Sequence, residues 1–144
     1  MDVILNIMKH LGARVNKIGS NVLEICCDKI NGFSVPYEMT KKMRASYYFV
    51  GALLGRFNHA VVPPPGGCCF GNRPIDMHIK GFEALGARVS IDKGSVEAHA
   101  DRLEAAQIFL DIVSVGATIN IMLAAARVPG VTIIENAAKE PHVV

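Results

Sequence analysis

A five-residue sequence that occurs twice constrains the fold of this chain more than any other feature. Leu11–Val15 reads Leu-Gly-Ala-Arg-Val and recurs as Leu85–Val89, an offset of 85 − 11 = 74 residues. Each copy follows a helical pattern and precedes two short strand patterns separated by a turn. A weaker match relates Ser46 to Thr118, each near the start of an apolar helix, at 118 − 46 = 72 residues. The offsets predict a duplicated α/β unit of about 70 residues, although Leu-Gly-Ala-Arg-Val is also a common way of ending a helix at glycine.

Apolar periodicity assigns the elements of each unit. The residues at helical spacing are Ile75, Ile79 and Phe82; Met39, Met43, Tyr47, Val50 and Leu54; and Ile119, Met122, Leu123 and Ala126. The short strand patterns cover 15–18, 22–26, 60–62, 89–91, 96–98 and 131–134. Helices and strands alternate along the chain, which predicts the α/β class, and we expect the three helical stripes to face the core.

Composition and charge exclude several classes of protein. Hydrophobic residues make up 51% and charged residues 19%, enough to bury a core and too apolar for a disordered chain. A net charge of +2 without a Lys/Arg run argues against nucleic acid as a partner. No apolar run reaches the roughly 20 residues that cross a membrane, and the first five residues lack a basic secretory signal. We therefore expect a cytoplasmic protein with no membrane partner.

The four cysteines form two adjacent pairs, Cys26-Cys27 and Cys68-Cys69. Neither pair has the C-x-x-C spacing of a zinc or redox site, and no histidine stands at ligand spacing beside them. Free thiols are therefore expected. We interpret the first pair as small strand residues, at least one of them buried.

The segment Pro63–Asp76 has the composition of a ligand-binding loop. Prolines end the preceding strand, three glycines allow a close approach to a ligand, and two thiols follow. Arg73 precedes Pro74, which fits the first turn of the next helix, so that the arginine and the helix N-terminus both favour an anion. A thiol beside this charge would be reactive. The alternative is a surface loop with incidental thiols, and residue chemistry by itself favours neither.

Several motifs resemble one family. Pro65–Cys68, Gly71 and Arg73–His78 resemble the active-site loop of the enolpyruvyl transferases that begin peptidoglycan synthesis. Further similarity to that family, in the same order, covers nearly the whole chain: Lys42–Ser46, Ser114–Thr118 and Ile134–Pro141. The sister enzymes of the shikimate pathway share the fold but lack a cysteine in this loop. The resemblance implies an inside-out α/β barrel of repeated βαβαββ units, with helices inside and sheets outside, of which this chain holds about two of the three units of one domain.

The resemblance also implies a reaction. The enolpyruvyl group of phosphoenolpyruvate would move to the 3-hydroxyl of UDP-N-acetylglucosamine with release of phosphate, and no metal or organic cofactor would take part. Cys68 matches the family's catalytic cysteine, which donates a proton to phosphoenolpyruvate and can bond to it, whereas Cys69 falls on a variable position. Arg73 matches an arginine that contacts both substrates, and Arg44 matches another near them. The remaining matches are substrate-binding positions: Pro74, Ile75, Asp76, Met77 and His78 for the nucleotide, and Val113, Ser114, Val115 and Gly116 for the diphosphate.

The sequence departs from the family in ways that bear on activity. The family's N-terminal lysine and asparagine have no counterpart, and neither does the second domain with its general-base aspartate and phosphate-binding arginine. Ile112 stands where some members have a lysine. We expect residues 1–144 to be one partial domain and catalytically inactive by themselves. Two alternatives remain: a binding module that holds the UDP-sugar without chemistry, and a half-domain that associates into a homo-oligomer. His78 could instead be an imidazole bonded to solvent.

Overall fold

Helices and strands alternate along the chain in the computed structural model, which describes residues 2–41, 43–64 and 75–144. The helices are α1 (Asp2–His10), α2 (Tyr37–Thr40), a 3₁₀ helix (Arg44–Tyr47), α3 (Tyr48–Phe57), α4 (Asp76–Ala84) and α5 (Val115–Ala125). The strands are β1 (Arg14–Lys17), β2 (Leu23–Cys26), β3 (His59–Val62), β4 (Arg88–Asp92), β5 (Ser95–His99), β6 (Gln107–Phe109) and β7 (Ile133–Glu135). The predicted α/β class is confirmed. None of the described helices is long and apolar enough to span a bilayer.

The strands form three small sheets. β1 and β2 form an antiparallel hairpin, β4 and β5 form another, and β3 adds to the second hairpin through antiparallel pairing with β5. β6 and β7 pair in parallel, with Ile108 opposite Ile134. A parallel bridge joins Ser34 to Val61 in the first half of the chain. This bridge in the first half of the chain corresponds in position to the parallel β6–β7 pair in the second half.

The two halves share their order of elements: a helix, a hairpin, a short extended segment, a helix and a parallel partner strand. Gly12 and Gly86, which are equivalent in the duplicated sequence, have φ of 105° and 92° and each follow a helix. Positive φ at this position is characteristic of a glycine that ends a helix. The duplicated five residues therefore do end helices, and they do so at the same place in both halves.

The core lies where α3, α4 and α5 pack against the sheets, and glycines bring these helices unusually close. Its largest fully buried side chains include Leu54, Phe82, Ile121, Val62 and Val96. A β-carbon at Gly51 of α3 would overlap the backbone oxygen of Asn120 in α5. One at Gly55 would lie 2.7 Å from the carbonyl oxygens of Leu123 and Ala124. α3 and α5 therefore touch backbone to backbone.

Two of the predicted helical stripes are wrong in part. The stripe from Met39 to Leu54 is not one helix, because α2 ends at Thr40 and Met43 has the extended backbone angles φ −155° and ψ 124°. The α5 stripe lies on the wrong face, since Met122 and Leu123 are 47% and 37% exposed. The residues of α5 that are buried are mostly small or polar, namely Ala117, Thr118, Asn120 and Ala124, and Ile121 is the one large apolar side chain among them. Large side chains do not fit where the backbones of α3 and α5 touch.

The other predictions agree more closely with the structure. The helix predicted from Ile75, Ile79 and Phe82 is α4, and most predicted strand ends lie within one residue of the observed ends. The expectation that Cys26 or Cys27 is buried is wrong, because both are only half-buried. The Cys26 thiol accepts a hydrogen bond from Arg14 and donates one to Asp28.

Candidate functional site

The starts of α4 and α5 lie beside each other, which brings the two predicted substrate-binding segments together. His78, in the first turn of α4, lies so close to α5 that a β-carbon on Gly116 would be 3.4 Å from its Nε2. The ring centroid of His78 is also 6.0 Å from that of Tyr47, at the end of the 3₁₀ helix. Three segments far apart in sequence, near residues 47, 78 and 116, therefore meet at one place.

Ser114 begins α5 because its side chain caps the helix. Its Oγ accepts a hydrogen bond from the Ala117 N–H at 3.3 Å, which satisfies one of the unpaired donors of the first turn. Its carbonyl accepts bonds from the N–H and the hydroxyl of Thr118, at 3.0 and 2.8 Å. The Thr118 hydroxyl in turn accepts from the Ala138 N–H at 3.1 Å. The predicted motif around Ala138 is thereby tied to the start of α5.

The start of α4 differs from that of α5 in its charge. Ile75 precedes α4 without a side-chain cap, and it packs with Met77 against the core. Asp76 is exposed in the first turn, where a carboxylate is stabilised by the helix dipole. The first turn of α5 contains no acidic residue. Asp76 disfavours an anion at the start of α4, whereas the first turn of α5 has no carboxylate to repel one.

Asn120 is the polar group around which the site is built, and sequence reasoning missed it. Its side chain is fully buried and makes hydrogen bonds with the Gly51 N–H at 2.8 Å, the Tyr47 carbonyl at 3.0 Å and His78 Nδ1 at 3.0 Å. His78 Nδ1 is therefore bonded within the protein, where the sequence had left open an imidazole bonded to solvent. One sequence signal could have indicated Asn120: it is an amide among small apolar residues on a single helix face, where a buried polar group needs partners.

Lys80 and Asp111 connect α4 to the segment that precedes α5. The lysine Nζ lies 2.8 Å from both carboxylate oxygens of Asp111 and 6.0 Å from the centre of the Phe109 ring. Both partners are substantially exposed, so that the pair contributes only about 0.2–1 kcal/mol to stability. Val113, two residues after Asp111 in the sequence, is also exposed. The predicted diphosphate segment is therefore accessible at its first residue.

Several predicted site residues lie outside the described residues: Cys68, Arg73 and Pro74, together with Cys69. The described chain ends at Pro64 after β3 and resumes at Ile75 before α4. Arg44 begins the 3₁₀ helix that ends at Tyr47. Within the described ranges, no group of three or more His, Cys, Asp or Glu residues could hold a metal ion.

The chain is similar to enolpyruvyl transferases in sequence. A family model described as EPSP synthase (3-phosphoshikimate 1-carboxyvinyltransferase) matches residues 1–144. UDP-N-acetylglucosamine 1-carboxyvinyltransferase 3 of Caldanaerobacter subterraneus is 54% identical over 144 residues, which are 100% of this chain and 34% of that protein. UDP-N-acetylglucosamine 1-carboxyvinyltransferase 2 of Clostridium acetobutylicum is 55% identical over 138 residues, which cover 96% of this chain and 33% of that protein. The chain thus spans about a third of the length of these relatives.

Solved structures show the same fold at low sequence identity. The enolpyruvyl transferase NikO from Streptomyces tendae superimposes with a TM-score of 0.82 and 20% identity, covering 99% of this chain and 34% of that one. An EPSP synthase from Acinetobacter baumannii superimposes with a TM-score of 0.69 and 19% identity, covering 98% of this chain and 34% of that one. The arrangement of helices and sheets is therefore that of the enolpyruvyl transferases.

Proposed function

This chain belongs to the EPSP synthase family, and we propose that it forms part of a UDP-N-acetylglucosamine 1-carboxyvinyltransferase of peptidoglycan synthesis. The observation that carries the proposal is the 51–55% identity, over almost all of the chain, to relatives with that name. The reaction would transfer enolpyruvyl from phosphoenolpyruvate to the 3-hydroxyl of UDP-N-acetylglucosamine. Both substrates carry several negative charges and do not cross a bilayer unaided, so that we place the reaction in the cytoplasm.

The described geometry supports α5 as the diphosphate-binding end. Val113, Ser114, Val115 and Gly116 form a capped helix start without a first-turn carboxylate, a suitable arrangement for an anion. His78 lies beside Gly116 and can supply a polar contact to the same ligand. Ile75, Asp76 and Met77 would hold the nucleoside with Pro74. We assign these roles to one bound molecule because the two helix starts adjoin.

We assign the chemistry to Cys68, on the strength of its motif. Its thiol would give a proton to the methylene carbon of phosphoenolpyruvate while the sugar 3-oxygen, losing its own proton, bonds to the neighbouring carbon. Loss of a proton from the new methyl group would then expel phosphate and restore the double bond. Arg73 and Arg44 would neutralise the carboxylate and phosphate, as guanidinium groups commonly do. No metal is needed in this scheme.

Ligand binding tests the choice of substrate. Saturation-transfer NMR of the 144-residue chain with UDP-N-acetylglucosamine should show transfer to the uracil protons, and shikimate 3-phosphate should show none. Val113→Asp places a carboxylate at the proposed diphosphate position and should abolish transfer. The matched control, Ile18→Asp, changes an exposed apolar residue to aspartate away from the site and should preserve transfer. Binding of shikimate 3-phosphate instead of the UDP-sugar would overturn the proposed specificity.

Thiol labelling tests the assignment of the catalytic cysteine. Fosfomycin, an epoxide analogue of phosphoenolpyruvate, should modify Cys68 in the presence of UDP-N-acetylglucosamine, as seen by peptide mass mapping. Cys69→Ser should label as the parent does, and Cys68→Ser should not label. Modification confined to Cys69 would contradict the assignment.

We propose that these 144 residues do not catalyse the reaction by themselves. The relatives use about three times this length. Phosphate release from phosphoenolpyruvate should therefore not depend on UDP-N-acetylglucosamine. Sugar-dependent release that disappears in Cys68→Ala would disprove this expectation and show that chains assemble a complete site.

A specific observation favours a second property, association into a homo-oligomer. Large apolar side chains are exposed on α5 and on the segment that leads to β7, among them Met122, Leu123 and Val131. Exposed apolar patches of this kind mark contact surfaces.

A further inference from the structure

We propose that Asn120 is a positioning residue that fixes His78 as the neutral tautomer with its proton on Nε2. Asn120 lies on the face of α5 that touches α3, and its side chain is fully buried. It makes three side-chain hydrogen bonds, two to backbone groups and one to the imidazole. The bond to the imidazole takes its direction from the other two.

The backbone fixes the orientation of the Asn120 amide. The Gly51 N–H can only donate, so that the atom facing it at 2.8 Å must be the carbonyl oxygen Oδ1. The Tyr47 carbonyl can only accept, so that the atom facing it at 3.0 Å must be Nδ2. Rotating the amide by 180° would set N–H against N–H and oxygen against oxygen. Leaving these buried groups unpaired would destabilise the fold, because each would lose its hydrogen bond without regaining water.

The fixed amide in turn determines the state of the imidazole. Nδ2 carries two hydrogens, and it lies 3.0 Å from His78 Nδ1 while also bonding to Tyr47. An amide nitrogen cannot accept a hydrogen bond, so that His78 Nδ1 must offer its lone pair. A neutral imidazole that accepts at Nδ1 carries its hydrogen on Nε2.

The Nε2–H group of His78 is therefore a hydrogen-bond donor of fixed direction beside α5. Nε2 lies close to Gly116, where a β-carbon would be 3.4 Å away. The Tyr47 ring also lies near the imidazole, with ring centroids 6.0 Å apart and planes tilted by 59°. On the proposed function, this donor would face an oxygen atom of the UDP-sugar. That last step rests on the proposed function, whereas the tautomer itself does not.

Nitrogen NMR of the chain labelled with ¹⁵N-histidine tests the tautomer directly. Long-range ¹H–¹⁵N correlations distinguish a protonated ring nitrogen from an unprotonated one, and loss of one ring system in His78→Gln assigns His78. The four other histidines, His10, His59, His99 and His142, give reference spectra in the same sample. We expect an unprotonated Nδ1 and a protonated Nε2 in the parent chain. A proton on Nδ1 would overturn the proposal without any variant having to fold.

Asn120→Asp then tests the cause. A carboxylate can still accept from the Gly51 N–H, but it can only accept from His78, so that Nδ1 should become protonated. The same substitution removes the bond to the Tyr47 carbonyl and should lower the stability of the fold. The matched control is Asn16→Asp, which removes an amide bond to Glu24 in the exposed β1–β2 hairpin and should leave His78 unchanged. Persistence of the Nε2–H tautomer in folded Asn120→Asp would show that another group sets it, and would overturn the role of Asn120.

Ligand titration separates this proposal from the proposed function. Asn120→Asp should weaken UDP-N-acetylglucosamine binding at least about tenfold, corresponding to loss of one hydrogen bond, while Asn16→Asp should bind as the parent does. Unchanged affinity in a variant whose tautomer has switched would refute a positioning role toward ligand. If the parent chain binds no UDP-sugar, the proposed function fails, and the NMR spectra still decide whether Asn120 sets the tautomer.

Discussion

At the scale of the residue, the burial of Tyr47 makes the stability of the folded chain depend on pH. Burial raises the pKa of Tyr47 above its usual value, because the phenolate loses solvation next to the packed helices. The folded state therefore holds this proton more tightly than the unfolded state. The stability that results is fully present below about pH 10, the pKa of an unfolded tyrosine. It is lost as the pH rises through the higher pKa of the folded protein.

Tyr47→Phe should consequently flatten the loss of stability at alkaline pH. Urea unfolding midpoints between about pH 8 and pH 11 should fall less steeply in Tyr47→Phe than in the parent chain. The control is Tyr37→Phe, at a position that is more than half exposed, which should leave the slope as it is. Equal slopes for Tyr47→Phe and the parent would mean that this phenol ionises alike in both states.

Ser114 combines a structural role with a proposed ligand contact, and two substitutions separate them. Ser114→Ala removes the cap of α5 and should lower the free energy of unfolding by about 1 kcal/mol. Ser114→Asp keeps a capping oxygen and adds a favourable charge for the helix dipole, so that it should be nearly as stable as the parent. The same carboxylate would repel a diphosphate, and UDP-N-acetylglucosamine binding should be lost.

The control for charge is Ser20→Asp, at an exposed position in the turn between β1 and β2, which should affect neither stability nor binding. Urea denaturation and ligand titration of the same preparations give the two quantities. Full binding by Ser114→Asp would place the diphosphate elsewhere than at the start of α5.

At the scale of the element, the contact of α3 with α5 depends on Gly51. Alanine is favoured over glycine within a helix by roughly 0.5–1 kcal/mol, which by itself would predict a more stable protein. The added β-carbon would, however, overlap the backbone oxygen of Asn120 and push the helices apart. Overpacking of this kind costs about 1–3 kcal/mol or more, so that Gly51→Ala should be destabilising. It should also disturb the Asn120 amide, because Oδ1 lies in the same place.

Gly19→Ala is the matched control for this substitution. A β-carbon there would meet only Val22, at the ordinary contact distance of 3.6 Å. Thermal or urea unfolding should therefore show Gly51→Ala well below the parent and Gly19→Ala close to it. A Gly51→Ala chain as stable as the parent would mean that α3 and α5 separate at little cost.

The same contact explains which elements could be predicted from the sequence. Periodicity is a local property, and it located α4, α5 and most strands because their apolar residues recur within a few positions. The buried face of α5 could not be found in this way, because small residues and Asn120 occupy it opposite the glycines of α3. The break at Met43 was equally invisible, since Met43 continues the apolar spacing while its backbone is extended.

The two motif segments of the candidate site could be predicted from the sequence, whereas the residue that connects α5 to His78 could not. Motif resemblance assigned Ile75–His78 and Val113–Gly116 separately, and the fold places them side by side. Asn120 of α5 bonds to His78 of α4, 42 residues away in sequence, and to Gly51 of α3, 69 residues away. No local pattern contains information at that separation.

At the scale of the whole molecule, exposed apolar surface predicts that this 144-residue chain associates with itself. Met122 and Leu123 face outward from α5, and a shallow groove beside them is lined by Ala125, Val128 and Ile134. β7 pairs with β6 on one side, and no strand among the described residues lies on its other side. Open strand edges next to apolar surface promote association between chains.

Light scattering coupled to gel filtration measures this directly against the monomer mass of 15.5 kDa. We expect the parent chain to exceed that mass as a dimer or larger species. Leu123→Lys and Met122→Lys should return it toward the monomer, because lysine suits an exposed helix position and charges the contact surface. Ile18→Lys makes the same change at an exposed apolar position on the β1–β2 turn, and should leave the mass as it is. A parent chain that is monomeric at NMR concentrations would contradict the prediction, and would mean that the outer face of α5 tolerates water without a partner.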